Sequence, residues 1–96
     1  MAPARKLPRA FDMPWGRGKI IEEASFEGEY HEPTLQLLQY NEGPGTGSFS
    51  VRFCTYGHNG RFQRSPLMVN QEDIEGLREA LKQAPRLQDL LRRLIA

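Results

Sequence analysis

The sequence SFSVRFCTYGHNGRFQRSPLMV, residues 48–69, carries the strongest signal for the fold of this chain. Aromatic and β-branched residues alternate with other residue types over residues 48–56, a pattern that predicts a β-strand. The Asn59-Gly60 pair favours the positive backbone angles of a tight turn. Residues 61–69 can then return as the partner strand, and Pro66, which has no N–H group, predicts an edge or a bulge in it. The stretch therefore predicts an antiparallel hairpin.

One face of this hairpin carries residues that are typical of a nucleic-acid-binding surface. Side chains alternate across a strand, so residues 50, 52, 54 and 56 share a face. Arg52 and Tyr56 lie on that face, and the returning strand adds Phe62. Aromatic rings stack on unpaired bases, while arginines neutralise phosphates and also stack. With further side chains from the turn and from two earlier strands, the candidate nucleic-acid-binding residues are Lys19, Tyr40, Arg52, Tyr56, Arg61, Phe62 and Arg64.

The segments on either side of the hairpin complete an α+β pattern. Strands are predicted over residues 19–27 and 34–41, although the second could also be a short helix. The glycine-rich residues 42–47 lack the Lys-Ser/Thr pair of a phosphate-binding loop, so a mobile hairpin loop is the better interpretation. Asn70 is a suitable N-cap for a helix that runs to about residue 83. Pro85 can begin a second helix. We therefore expect one α+β domain over residues 19–96, with antiparallel strands followed by one or two C-terminal helices.

The first 18 residues are expected to form a flexible basic arm. They contain Pro3, Pro8 and Pro14 among basic residues, and this composition is typical of a segment outside the packed domain. Trp15 lies in this arm. It could pack back onto the domain as an anchor, or it could supply a further ring for base stacking.

Charge is distributed unevenly along the chain, although the net charge is only +1. Residues 1–19 carry five basic residues against one acidic residue, which gives +4. Residues 20–33 carry five glutamates and no Lys or Arg, which gives −5. We interpret the glutamates between Glu22 and Glu32 as a solvated outer strand face with unshifted pKa values. A nucleic-acid surface would have to come from the basic start and the middle strands.

The sequence offers no combination of residues for catalysis or metal binding. His31 and His58 are the only histidines and Cys54 is the only cysteine. A zinc site needs three or four ligands at suitable spacing, and a nucleophile needs an oriented base. We therefore predict a protein that is not an enzyme and that has no catalytic residues, no metal and no cofactor.

The same features predict where the protein is found. A single cysteine suits the reducing cytosol. No apolar run approaches the roughly 20 residues of a membrane span, so no membrane association is expected. We predict a cytoplasmic protein, associated with the nucleoid if it binds nucleic acid.

The C-terminal leucines allow two interpretations. Leu87, Leu90, Leu91 and Leu94 form a broad apolar face at helical spacing. This face could pack on the chain's own sheet, or part of it could form a dimer interface. A chain of 96 residues buries a modest core by itself, which favours a homodimer. A protein-interaction or assembly module without nucleic-acid binding is therefore the alternative function.

Three segments carry a resemblance to a known family. The pattern Leu67-Met68-Val69-Asn70-Gln71-Glu72-Asp73-Ile74-Glu75-Gly76-Leu77-Arg78-Glu79-Ala80-Leu81 is a strand ending in an aliphatic-Asn pair, followed by an acidic-capped helix. Together with Val51-Arg52-Phe53-Cys54-Thr55-Tyr56 and the closing Leu91-Arg92-Arg93-Leu94, it resembles the positive cofactor four family of single-stranded DNA-binding transcriptional coactivators. The resemblance covers about residues 19–94. Departures are a hairpin without lysine, Ile74 where the family often has tryptophan, and the interrupting Pro66.

The resemblance implies a more specific fold and function. The implied fold is a four-stranded curved antiparallel sheet backed by a helix, in a homodimer. The implied ligand is single-stranded DNA rather than RNA, in a transcription-related role. Carried over residue by residue, the implied binding positions are Arg52, Tyr56, Arg61, Phe62 and Arg64.

Overall fold

Antiparallel strands form the first two-thirds of the chain and helices form the last third. The computed structural model describes residues 5–14, 16–62 and 66–96. The strands and helices are β1 (Arg9–Met13), β2 (Gly16–Ser25), β3 (Glu32–Glu42), β4 (Phe49–Tyr56), β5 (Leu67–Asn70), α1 (Ile74–Leu81) and α2 (Pro85–Ile95). Each strand pairs antiparallel with the next, so the sheet order follows the chain order. The α+β fold with two C-terminal helices is confirmed.

The described sheet has five strands, whereas four were predicted. The additional strand is β1, which lies in the segment expected to form an arm. It pairs with β2 from Arg9 opposite Ile20 to Met13 opposite Gly16. Phe11 is buried and Ala10 and Asp12 are exposed, so this short segment has the alternation of a strand. Its prolines flank β1 and do not interrupt it, which is why composition alone did not indicate pairing.

One face of the sheet is more deeply buried than the other. Residues of this face are buried along β3 and β4, whereas those of the opposite face are partly buried or exposed. The Arg9 Nη2 atom on β1 donates a hydrogen bond to the Tyr56 hydroxyl on β4, over 3.3 Å, so side chains of these two strands meet on the buried face. Register shifts in β2 beside Gly18 and between Ile20 and Glu22 are irregularities of the kind that bend a strand. The more buried face is called the inner face below, and the opposite one the outer face.

An apolar cluster fills one half of the inner face. Phe11, Ile20, Leu38 and Tyr40 are its buried members, and Met13 and Met68 pack against them. The Phe11 and Tyr40 rings meet edge to face, with their centroids 5.2 Å apart. The cluster spans β1, β2 and β3, so it fixes β1 to the sheet.

The second strand of the hairpin predicted over residues 48–69 is described from Leu67, where β5 begins. An isolated bridge joins Phe62 to Tyr56, and residues 63–65 lie outside the described part of the chain. Asn70 precedes a short 3-10 turn (Gln71–Asp73), but its side chain makes no capping hydrogen bond. The Asn70 Oδ1 atom instead accepts a hydrogen bond from Ser50 Oγ. Helix α2 begins at Pro85 as predicted.

Both helices remain exposed in the single chain. Neither contains a buried residue. Leu90 and Leu94 of α2 are 58% and 57% exposed. The apolar face of α2 therefore does not pack fully on the chain's own sheet. Among the described residues, no helix is both long and apolar enough to cross a membrane.

Candidate binding sites on the two faces of the sheet

Three of the predicted nucleic-acid-binding residues form one cluster on the inner face. The Tyr56 and Phe62 rings meet edge to face at 5.4 Å. The Arg52 guanidinium carbon lies 4.8 Å from the centre of the Phe62 ring. The sequence prediction expected these groups on an open sheet face, but Arg52 and Tyr56 are only 6% and 7% exposed. Phe62, at 38% exposure, is the accessible member of the cluster.

Three of the other four predicted residues, Lys19, Tyr40 and Arg61, are described in the structure. Tyr40 is 4% exposed and belongs to the apolar cluster, where its hydroxyl lies 3.2 Å from Ser50 Oγ. Lys19 is exposed and pairs in register with Gln39, which places it on the outer face. Arg61 is exposed beside the turn. Arg64 lies outside the described residues, as does Trp15. Among the described residues, the structure thus joins Arg52, Tyr56 and Phe62 and places Tyr40 and Lys19 apart from them.

Buried acidic residues belong to the same inner face. Glu23 and Glu32 have side chains that are only 6% and 4% exposed, so the interpretation as a solvated outer face is wrong for these two glutamates. Glu22, Glu27 and Glu29 are exposed as predicted. Glu23 Oε2 accepts hydrogen bonds from Arg9 Nη2 at 2.8 Å and from Gln36 Nε2 at 2.6 Å. Gln36 also donates to the Tyr56 hydroxyl and accepts from Arg52 Nε. A connected network therefore joins the acidic residues to the aromatic cluster.

Arg5 closes this network from the N-terminal side. Its Nη2 atom lies 2.8 Å from Glu32 Oε2, and its Nη1 atom lies 3.9 Å from Glu23 Oε1. Its guanidinium carbon is 3.8 Å from the centre of the Tyr56 ring, in cation–π geometry. No buried side-chain nitrogen or oxygen of the described residues lacks a hydrogen-bond partner. The polar half of the inner face is therefore an internally satisfied cluster in this conformation.

The network shifts the acid–base properties of two of its members. Burial acts to raise the pKa of Glu23, but hydrogen bonds from Arg9 and Gln36 outweigh it, so the pKa lies below its ordinary value. Desolvation acts to lower the pKa of Arg9, but hydrogen bonds to Glu23 and Tyr56 leave it above the ordinary value. Both groups are therefore charged at neutral pH.

Arg5, Arg9, Glu23, Glu32 and Gln36 were not predicted as site residues. Arg9 contacts residues 14 and 47 positions away, and Arg5 contacts Glu32 across 27 positions. Such separations leave no periodic signal in the sequence. The only available indication was the basic segment next to an acidic one, which suggests attraction between them without identifying pairs.

Cys54 also lies on the inner face. It is buried, and this burial raises the pKa of its thiol. A protonated, inaccessible thiol is a poor nucleophile. Among the described residues, no three His, Cys, Asp or Glu side chains are grouped so that they could hold a metal ion.

The outer face carries an apolar groove that extends to the end of α2. Leu35, Leu37, Val51 and Phe53 alternate with the inner-face residues and are only partly buried. A groove of about 460 Å³ runs over this face. The side chains that line it include Phe26, Pro33, Leu35, Phe53, Thr55 and Leu94. In the single chain this face is therefore only partly covered by the helices.

Comparisons with protein-family models, with curated proteins and with solved structures gave no match for this chain. The resemblance to the positive cofactor four family stays a prediction.

Proposed function

We propose that this chain is an assembly module that works as a homodimer, in which the second copy covers the outer face and the apolar side of α2. The observation that carries this proposal is the excess of exposed surface. The chain exposes 7284 Å². A folded monomer of its mass is expected to expose about 5,600 Å² by the usual scaling, so the excess is about 1,700 Å².

The size of this excess favours a second copy as the occupant. Stable interfaces bury about 800 Å² on each partner, and obligate homodimers bury more. The radius of gyration is 14.4 Å, whereas about 12.5 Å is expected for a chain of this length. The exposed leucines of α2 and the half-buried outer face form the apolar surface that a symmetric partner would cover.

The test is the molar mass in solution, measured by light scattering after size exclusion at several concentrations. We expect twice the chain mass of 11.0 kDa. Leu90→Glu, which places a charge in the apolar stripe, should shift the protein to monomer. Gln83→Glu adds the same charge at an exposed position outside the stripe and should leave the dimer intact. A monomeric wild-type protein at micromolar concentration would refute the proposal.

Single-stranded nucleic acid binding is the second candidate function, and the cluster of Arg52, Tyr56 and Phe62 favours it. Phe62 presents a partly exposed ring over a guanidinium, with the exposed Arg61 beside it. This combination can stack on a base and neutralise a phosphate. The family resemblance favours DNA over RNA and a transcription-related role in the cytoplasm or nucleoid. Dimer formation is compatible with it.

Fluorescence anisotropy of a labelled single-stranded oligonucleotide tests this second candidate. Binding should weaken steeply as salt rises, because phosphate contacts release counterions. Phe62→Ala should weaken binding about tenfold, in line with ~1–3 kcal/mol for one stacked base. Tyr30→Ala removes an exposed ring outside both this cluster and the outer-face groove and serves as the control. Absence of binding at low salt would exclude the candidate.

A further inference from the structure

We propose that the side chains of Glu32, Glu23 and Tyr56 form a binding site for a guanidinium group, that Arg5 fills this site in the present structure, and that an arginine side chain from another peptide segment can take its place. The ligand class is an arginine in an extended peptide. The proposal does not depend on either function proposed above.

The site has the chemistry that a guanidinium requires. Glu32 Oε2 accepts a hydrogen bond from Arg5 Nη2 at 2.8 Å. A second carboxylate, that of Glu23, lies 3.9 Å from Arg5 Nη1. The Tyr56 ring lies 3.8 Å below the guanidinium carbon. A planar, weakly hydrated guanidinium satisfies stacking and hydrogen bonding together, whereas the compact ammonium of lysine does not. The site should therefore discriminate arginine from lysine.

The carboxylate of Glu32 needs a cation. Its side chain is 4% exposed, and Arg5 is its ion-pair partner among the described residues. Glu23 differs, because Arg9 and Gln36 bind it independently of Arg5. A buried carboxylate without its partner strongly destabilises the folded protein, because its charge is left uncompensated. An empty site should therefore bind any guanidinium group that can reach it.

The occupant is held mainly through its side chain. Residues 5–8 lie outside every strand, and β1 begins at Arg9. No backbone–backbone hydrogen bond joins residues 5–8 to another described residue. Exchange of Arg5 for another arginine therefore requires no break in the described strand pairing. The N-terminal segment therefore competes, through Arg5, with any other arginine for the same site.

The experiment uses the full chain with Arg5→Ala, which vacates the site, and Lys6→Ala as the control. Lys6 is the exposed neighbour, and its replacement removes the same charge. The probe is the capped peptide of residues 1–8 of this chain, compared with its Arg5→Lys form. Binding is followed by nitrogen–proton NMR at the Glu32 and Tyr56 amides. We expect saturable shifts in Arg5→Ala and at least tenfold weaker binding in Lys6→Ala, whose site is filled.

Two comparisons can overturn the proposal. Adding Glu32→Gln to Arg5→Ala should abolish the shifts, and the lysine peptide should bind at least tenfold more weakly. No saturable shift in Arg5→Ala, or equal binding of the two peptides, would refute the site. If Arg5→Ala does not fold, the Arg5 Nη–H signals of the otherwise unchanged chain are measured at low temperature, because Nη2 makes the contact with Glu32. Protection of these protons that persists in Glu32→Gln would equally refute the proposal.

A mixing experiment distinguishes the two sources of the arginine. Labelled Arg5→Ala is mixed with unlabelled wild-type protein. Shifts at the Glu32 amide would identify the N-terminal segment of a second copy as the occupant. Peptide binding without such shifts would exclude the second copy as the source of the arginine. Either result retains the guanidinium site.

Discussion

Glu23 keeps its charge in the interior of this fold because its neighbours replace water. Its carboxylate accepts hydrogen bonds from Arg9 and Gln36 while its side chain is only 6% exposed. Burial alone would favour the neutral form, but charge-assisted hydrogen bonds reverse that preference. The consequence is a carboxyl group whose pKa is lower in the folded chain than in the unfolded chain.

This shift predicts how stability depends on pH. A carboxyl group with a lowered folded pKa stabilises the protein fully above its unfolded pKa of about 4.3, and this contribution disappears as the pH falls through the folded value. We expect Glu23→Gln to lower the free energy of unfolding by about 1–3 kcal/mol at pH 7. The difference from wild type should shrink below pH 4. Urea unfolding at pH 7, 5 and 3 measures it, and the exposed Glu22→Gln is the control. A difference that is constant with pH would contradict this account.

Gly18 is required by the close approach of β2 to β3. A Cβ atom at this position would meet the backbone carbonyl oxygen of Gln39, which cannot move aside as a side chain could. We expect Gly18→Ala to lower the free energy of unfolding by about 1–3 kcal/mol, as overpacked cores do. Chemical denaturation measures the change. Unchanged stability would mean that the two strands separate here at little cost.

Helices α1 and α2 are amphipathic elements whose apolar sides have no full partner in the single chain. Ile74, Leu77 and Leu81 recur at helical spacing in α1, yet none is fully buried. Helix formation in isolation is marginal for segments of this length. The helices therefore depend on packing, and the proposed second copy would supply much of it.

Gly76 provides a test of α1 that leaves its apolar stripe untouched. It lies in the helix interior, opposite the stripe, and a Cβ atom there would meet nothing within 4 Å. Alanine costs less backbone entropy than glycine in a helix, so Gly76→Ala should raise stability by about 0.5–1 kcal/mol. The midpoint of thermal unfolding should rise accordingly. A lower midpoint would mean that another group packs against this surface of α1. The proposed dimer has no such contact at Gly76.

At the scale of the whole molecule, the two faces of the sheet use different sources of stability. The inner face combines an apolar cluster with a polar network in which every buried polar side-chain atom of the described residues is paired. The outer face carries an apolar patch of Leu35, Leu37, Val51 and Phe53 that is only partly covered. The domain is therefore complete on one side, and on the other side its stability should depend on association.

Association predicts a thermal midpoint that depends on protein concentration. For a dimer of this length, a tenfold increase in concentration should raise the midpoint by about 3–4 °C, given typical unfolding enthalpies per residue. Scanning calorimetry at several concentrations measures the effect. Leu90→Glu should abolish the dependence, and Gln83→Glu should retain it. A midpoint independent of concentration in the wild-type protein would favour a monomer.

Much of the element order was predictable from local patterns. Alternation predicted β4 within one residue of its observed start and also predicted its two faces, and Pro85 predicted the start of α2. These features depend on a few adjacent residues. The strand β1 escaped prediction because its alternation covers only five residues between prolines. Its pairing depends on burial of Phe11 against Tyr40, which is 29 positions later in the chain.

The sequence by itself determined the fold class, the antiparallel succession of strands, and the grouping of Arg52 with Tyr56 on one strand face. Only the tertiary structure decided that this face is the buried one. The reason is physical: alternation distinguishes two faces of a sheet but not which of them is buried. A polar face can be enclosed when long-range partners satisfy it. Here Arg5 and Arg9 do so, and their pairing with Glu32 and Glu23 exists only after the chain has folded.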